Sequence, residues 1–204
     1  MWYALPPVSV PVYVVLLHYP MRNRAGEVVT TAVTNLDIHD ISRSCRTFGV
    51  REYILVTPIP SQQQLVRRIL GHWGEGPSKE WHPDRAEALS RVRVESSFED
   101  LIARLTAEHG QKPEVVLTDA AQLERSISYA DYRRELEQRS KSPDPRAVLI
   151  VFGTGWGVDK SFHPAVDRIL APIHGPEGPQ EDGGYNHLSV RAAAAIILDR
   201  LFGH

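Results

Sequence analysis

Gly153, Gly155 and Gly157 alternate through the stretch Gly153-Thr154-Gly155-Trp156-Gly157-Val158. Residues without a Cβ let a backbone turn sharply and come close to a ligand. The stretch follows Ala147 to Phe152, an apolar, β-branched run with the composition of a strand buried on both faces. A buried strand that opens into a glycine-rich loop is a common frame for a nucleotide or cofactor; the bland alternative is a tight turn. A dinucleotide fold would place G-x-G-x-x-G after the first strand, with a second half following. Here the glycines come late and lack the third spacing, and the first strand leads into an arginine loop. The Walker pattern G-x-x-x-x-G-K-[ST] is absent. There remains a cofactor site made by the last third of the chain. Three loops would converge there: Thr118-Asp119, Gly153 to Val158, and Pro172 to Leu188.

The elements that position these loops follow from periodicity. Val12 to His18, Arg51 to Thr57, Arg91 to Glu95, Glu114 to Thr118, Ala147 to Phe152 and Arg168 to Ile173 read as strands. Helices are expected over Asp37 to Phe48, Gln62 to Trp73, Asp84 to Ser90, Ser97 to His109, Asp131 to Ser140 and Asn186 to Phe202. Ile38, Ile41, Cys45 and Phe48 form the buried stripe of the first of them. Asn35 or Asp37 can cap it and Gly49 stops it. Leu65, Ile69 and Trp73 share one side of the second. Asp159 to Val166 is partly helical, Tyr19 to Thr34 is a loop with a glycine turn, and residues 1–11 are a lead-in. Strands alternate with helices, so the fold class is α/β with a mostly parallel sheet flanked by helices. No linker divides the 204 residues, which form one domain.

Bulk composition excludes little else. Hydrophobic content of 42% and charged content of 24% are ordinary for a soluble protein. A formal net charge of −2 gives no global pull toward nucleic acid or membrane, so any basic surface must be local. The single cysteine, Cys45, allows no intrachain disulfide and no cysteine metal cluster; it lies on the apolar stripe and reads as core. The histidines show no ligand spacing, so no metal site is expected. The proline-rich start lacks a basic n-region, and no apolar run approaches a membrane span. A cytoplasmic protein is expected.

Three motifs in order resemble a known family. Asn35 to Val50, NLDIHDISRSCRTFGV, is similar to N-x-G-x-x-x-R-x-x-x-x-F-G, with Arg43 at the functional arginine. FGTGWGV is the second motif. The third is Ala171-Pro172-Ile173-His174-Gly175 followed by Asn186-His187-Leu188-Ser189-Val190-Arg191-Ala192-Ala193, like I-P-M-x-G and S-L-N-V-S-x-A-A. The chain resembles the SPOUT class of S-adenosylmethionine-dependent RNA methyltransferases, and within it a small bacterial group sometimes fused to tRNA guanine-N1 methyltransferases. The resemblance implies a C-terminal deep trefoil knot over roughly residues 114–204, a homodimer in which first and last helices pair, and tRNA or rRNA as substrate. It also implies a cofactor held by Thr118, Gly153, Thr154, Gly155, Trp156, Gly157, Ile173, His174, Gly175, Asn186, Leu188 and Ser189.

The sequence departs from the family at four positions. Asp37 replaces the motif-one asparagine and His39 its glycine. Gly155 stands where the ribose 2′-O branch has glutamate, and His187 where asparagine is expected. Methyl transfer needs alignment of nucleophile, methyl and leaving sulfur, and in some cases removal of a proton. Arg43 is the candidate for holding a phosphate or orienting the acceptor. Asp37, His39, Asp40 and His187 are candidate bases. A ribose hydroxyl is far harder to deprotonate than a base nitrogen, so base methylation is favoured over ribose 2′-O. His39 and Asp40 equally suit a positive helix N-terminus. Trp156 fits a stacking platform or a hydrophobic lid. Arg22, Arg24 and Arg46 are candidates for an RNA-facing patch. The rival reading is a SPOUT-fold module that binds RNA or cofactor without catalysis.

Overall fold

The structure is a computed structural model that describes residues 10–75, 77–143, 145–175 and 187–203. Nine strands are assigned among them: β1 (Val12–Leu17), β2 (Met21–Arg22), β3 (Val28–Val29), β4 (Glu52–Val56), β5 (Val92–Glu95), β6 (Glu114–Thr118), β7 (Ser126–Ile127), β8 (Val148–Phe152) and β9 (Arg168–Leu170). The helices are α1 (Asn35–Thr47), α2 (Pro60–Gly74), α3 (Pro77–Trp81), α4 (Pro83–Ser90), α5 (Phe98–His109), α6 (Tyr129–Arg139) and α7 (Val190–Phe202), with a 3-10 turn at Lys160–Ala165. Seven strands form one sheet in the order β5-β4-β1-β8-β6-β9-β7, and every pairing in it is parallel. Parallel strands need crossovers, and crossovers cover both faces with helices. β1 and β8 lie at the centre and every residue in them is buried.

Alternate side chains of these strands build two cores. Val12, Val14 and Leu16 join Val148, Ile150 and Phe152 on the face covered by α1, α6 and α7. Tyr13, Val15 and Leu17 join Leu149 and Val151 on the face covered by α5 and the 3-10 turn. The expected stripe of α1 forms, with Ile38, Ile41 and Cys45 buried and Phe48 packed at its edge. Its cap is neither candidate but Thr34, one residue before Asn35 and three before Asp37: the Thr34 hydroxyl accepts from the Asp37 amide at 3.2 Å. Ser97 caps α5, its hydroxyl accepting from the Asp100 amide at 3.0 Å. In α2 the buried position is Val66, flanked by Ile69, Leu70 and Trp73, whereas Leu65 is 41% exposed. The expected side therefore holds at Ile69 and Trp73, with Val66 in place of Leu65.

Two short pairings were not expected. Met21–Arg22 and Val28–Val29 make an antiparallel hairpin inside the supposed loop. Ser126–Ile127 adds a parallel edge strand beside β9. Strands of two residues carry no readable alternation. Most of the expected lead-in and of the loop from His174 to Tyr185 lies outside the described residues. No described helix is long and apolar enough to cross a membrane.

Candidate functional site

In a parallel sheet the loops after each strand meet at one edge. Here they enclose a cavity of about 700 Å³, a size suited to a cofactor. Its walls come from Thr31 to Asp37 after β3, Thr118 to Ala121 after β6, the glycine loop after β8, Ile173 after β9, and His187 to Ile197 at α7. Described residues of the three loops expected from the sequence line it: Thr118 and Asp119, Gly153 to Val158, and Ile173, His187 and Leu188.

The glycine loop is fixed from below by the hairpin. The Arg22 amide donates to the Gly157 carbonyl at 3.0 Å, and the Trp156 amide donates to the Arg22 carbonyl at 3.2 Å. Met21 bridges Val158 in antiparallel fashion. Gly155 and Gly157 have φ of 60° and 95°, the left-handed region that favours glycine. A Cβ on Gly155 would also lie 3.3 Å from the Arg22 carbonyl oxygen. A Cβ on Gly153 would lie 2.7 Å from Val158 Cγ2. Close packing, as well as turn geometry, therefore demands glycine. Between these glycines Trp156 projects at the cavity rim, 64% exposed.

Hydroxyls tie the loop to β1. Thr154 Oγ1 donates to the Leu17 carbonyl at 3.3 Å and shares a short hydrogen bond with Thr31 Oγ1. Thr31 Oγ1 meets His18 Nδ1 at 3.0 Å. His18 is fully buried, and burial pushes its pKa down to about 4, so the imidazole is neutral at pH 7. Arg22 Nε donates to Asp159 Oδ2 at 2.9 Å. The Ser161 amide, first, and Arg22 hold the Asp159 carboxyl well below the usual carboxylate range.

Asp37 lines the opposite wall and is 6% exposed. Thr34 Oγ1 donates to its Oδ2 at 2.6 Å and Arg191 Nη1 lies 3.2 Å from its Oδ1. Arg191 also reaches Asp40, with Nε 3.4 Å from Oδ2. One guanidinium thus joins the first turn of α7 to two acids on α1. Arg43 lies outside this cavity. It is exposed and borders a second, shallower groove of about 450 Å³ with Asp40, Ser44, Arg191, Ala192 and Ala195. His39 packs edge-on against Trp73, with ring centroids 5.4 Å apart.

Of the residues proposed from sequence, Asp37, Thr118, Gly153, Thr154, Gly155, Trp156, Gly157, Ile173, His187 and Leu188 line the cavity. Ser189 instead caps α7, accepting from the Ala192 amide at 3.2 Å. His174 and Gly175 continue from Ile173 but are not in the wall. Asn186 lies outside the described residues. Among the arginines, Arg22 is paired with Asp159, Arg46 Nε donates to Glu87 at 2.6 Å, and Arg24 is exposed on the hairpin. Sequence reasoning placed Asp119 in a converging loop and Arg191 in the third motif without a side-chain role for either, and gave none to His18 or Thr31. An acid pair at i and i+3 facing an arginine in another helix's first turn is a signal only once the helices are known to touch.

Phe152, Ile173, Leu188, Val190 and Ile197 give the cavity an apolar wall, and the glycine loop gives it exposed backbone. Those features fit a flat adenine and the main-chain recognition of a nucleoside.

Comparison with known proteins narrows the ligand. The chain is 37% identical over 191 residues to a protein of Aquifex aeolicus (strain VF5), covering 94% of this chain and 88% of that one. It is 43% identical over 195 residues to a tRNA (guanine-N(1)-)-methyltransferase of Nitratidesulfovibrio vulgaris, covering 94% of this chain but 42% of that longer one. The fold matches a probable methyltransferase of Bordetella pertussis Tohama I with a TM-score of 0.62 at 14% identity, covering 95% and 93% of the two chains. Solved methyltransferases of the SpoU type share it as well. Residues 11–203 match the SAM-dependent RNA methyltransferase family. With a family match across almost its whole length, the chain belongs to the S-adenosylmethionine-dependent RNA methyltransferases.

Proposed function

We propose that this protein methylates a nucleobase of tRNA or rRNA, with Asp37 taking the proton from the acceptor nitrogen. The cofactor supplies a methyl group activated by its sulfonium. Asp37 carries the reading: it is the carboxylate on the α1 wall, oriented by Arg191 and Thr34. A carboxylate is matched to a ring N–H rather than a ribose hydroxyl. At the second motif a Cβ on Gly155 would lie 3.3 Å from the Arg22 carbonyl oxygen, and its φ of 60° favours glycine, which supports reading the position without the glutamate of the ribose 2′-O branch. Trp156 offers a face on which an unstacked base can lie. Arg22, Arg24 and Arg46 would contact phosphates, and Arg43 would orient the acceptor. The guanine-N1 name belongs to a relative of which this chain spans 42%, so it points to tRNA as a shared substrate more than to the same atom.

The same reading takes the chain from about residue 114 as a trefoil knot and the protein as a cytoplasmic homodimer. Insertion of β8 between β1 and the earlier β6 supports the first inference. The α1–α7 groove with its small side chains supports the second.

Modified nucleosides from a deletion strain and its parent, compared by mass spectrometry, test the substrate. A methylated base that disappears is expected; loss of a ribose-methylated nucleoside instead would sink the base assignment. With the acceptor known, Asp37→Asn should lower kcat by about 100-fold or more with KM for the cofactor little changed. Arg43→Ala should lower methylation while leaving S-adenosylhomocysteine binding intact. The pairing of Asp37 with Arg191 favours one second reading, a module that binds without catalysis. Binding of S-adenosylhomocysteine by a protein whose deletion removes no methyl group would favour that module.

A further inference from the structure

Most polar side chains facing the cavity are already committed inside the protein. Thr118 Oγ1 donates to the Val151 carbonyl at 3.0 Å. Thr31 and Thr154 are joined to each other and to His18 and Leu17. Asp37 is held by Thr34 and Arg191. Asp119 differs. Its Oδ1 accepts from the Ala121 amide at 2.8 Å and shapes the turn after β6. Its Oδ2 faces the glycine loop, 3.9 Å from where a Cβ on Gly157 would lie. Among the described residues Asp119 forms no ion pair, and it lines the cavity.

Sheet order gives this carboxylate a place. β6 lies between β8 and β9, so Asp119 lies between the glycine loop and the apolar wall begun by Ile173. α1, with Asp37, lies on the other side, beyond the glycine loop. In a nucleoside the sugar lies between the base and the reacting end. A base on the apolar wall and a methyl directed toward α1 leave the sugar beside Asp119. A carboxylate oxygen accepts strongly from hydroxyls, because the hydrogen bond is charge-assisted. We infer that Asp119 recognises the cis-diol of the cofactor's ribose and so selects ribonucleoside cofactors over deoxy analogues. The inference rests on the methyltransferase reading and specifies one wall of the same site.

Calorimetric titration of S-adenosylhomocysteine and its 2′,3′-dideoxy analogue into the wild-type protein, Asp119→Asn and Asp119→Ala tests it. Asparagine keeps an oxygen for the Ala121 amide and replaces the free oxygen with a donor, so the turn survives. Wild type should bind the dideoxy analogue about 10- to 100-fold more weakly than S-adenosylhomocysteine. Both variants should bind S-adenosylhomocysteine about 10- to 100-fold more weakly than wild type, and their discrimination between the two ligands should collapse. Discrimination that persists in both variants overturns the inference, because another group then reads the sugar. Equal binding of both ligands by wild type overturns it as well. Wild type that binds neither ligand removes the methyltransferase reading together with the inference, a result distinct from the other two.

Discussion

His18 shows how a side chain that never faces the cofactor can set its loop. The ring is fully buried, and its Nδ1 begins a chain of hydroxyls that reaches Thr154. Burial lowers its pKa from 6.5 to about 4. Below pH 6.5 the unfolded chain takes up a proton that the folded chain refuses, so the stabilisation is complete above pH 6.5. It is lost as pH falls toward 4, at about 1.4 kcal/mol per pH unit at most. His18→Asn removes this titration. The variant should be less stable than wild type at pH 7.5, and the gap should narrow between pH 6.5 and 4. Denaturant melts at several pH values measure it; parallel curves for the two proteins would refute the assignment. Nothing in the sequence around His18 marks it. Its neighbours are a strand end and a threonine thirteen residues on, and only the fold brings them together.

Among the elements, the β2–β3 hairpin has the largest effect for its size. Two residues per strand suffice to hold the glycine loop by backbone bonds, by Met21 against Val158, and by the Thr154 amide donating to Met21 Sδ at 3.2 Å. Met21 is fully buried. Met21→Ala should therefore cost about 2 to 5 kcal/mol of stability, as other buried large-to-small changes do. It should also weaken S-adenosylhomocysteine binding, although Met21 lies behind the loop. Unchanged affinity in calorimetry, with lowered stability, would show that the loop holds its shape without the hairpin. The long elements were legible because their patterns are long. β6 runs from Glu114 to Thr118 as read, and β1, β4, β5 and β8 match to within a residue at either end. α1 was placed by the Ile38, Ile41 and Cys45 spacing. On α2 the pattern gives Ile69 and Trp73 correctly but not Val66, because Leu65 and Val66 are adjacent apolar residues and only packing decides between them. The cavity wall was legible through its glycines. Asp119 and Arg191 were not, since what defines them is what they do or do not touch.

At the scale of the molecule, the face made by α1 and α7 is the one the proposed dimer would bury. Ala192 and Ala195 line its groove and let backbones approach, while Arg43 and Asp40 border it. Sedimentation of the wild-type protein should give a dimer, and Ala195→Arg should shift it toward monomer. A wild-type monomer at tens of micromolar would end this part of the proposal.

The cavity wall draws on residues from Thr31 to Ile197, so its parts are separated by nearly the whole chain. A bound nucleoside then behaves as a reversible cross-link between the first and last helices. A ligand at 100 times its dissociation constant stabilises by about 2.7 kcal/mol. Because Asp37 and Ile197 both line the cavity, the protection should spread to α1 and α7 together. Hydrogen exchange with and without S-adenosylhomocysteine should slow both helices in concert, so that filling the site also closes the chain.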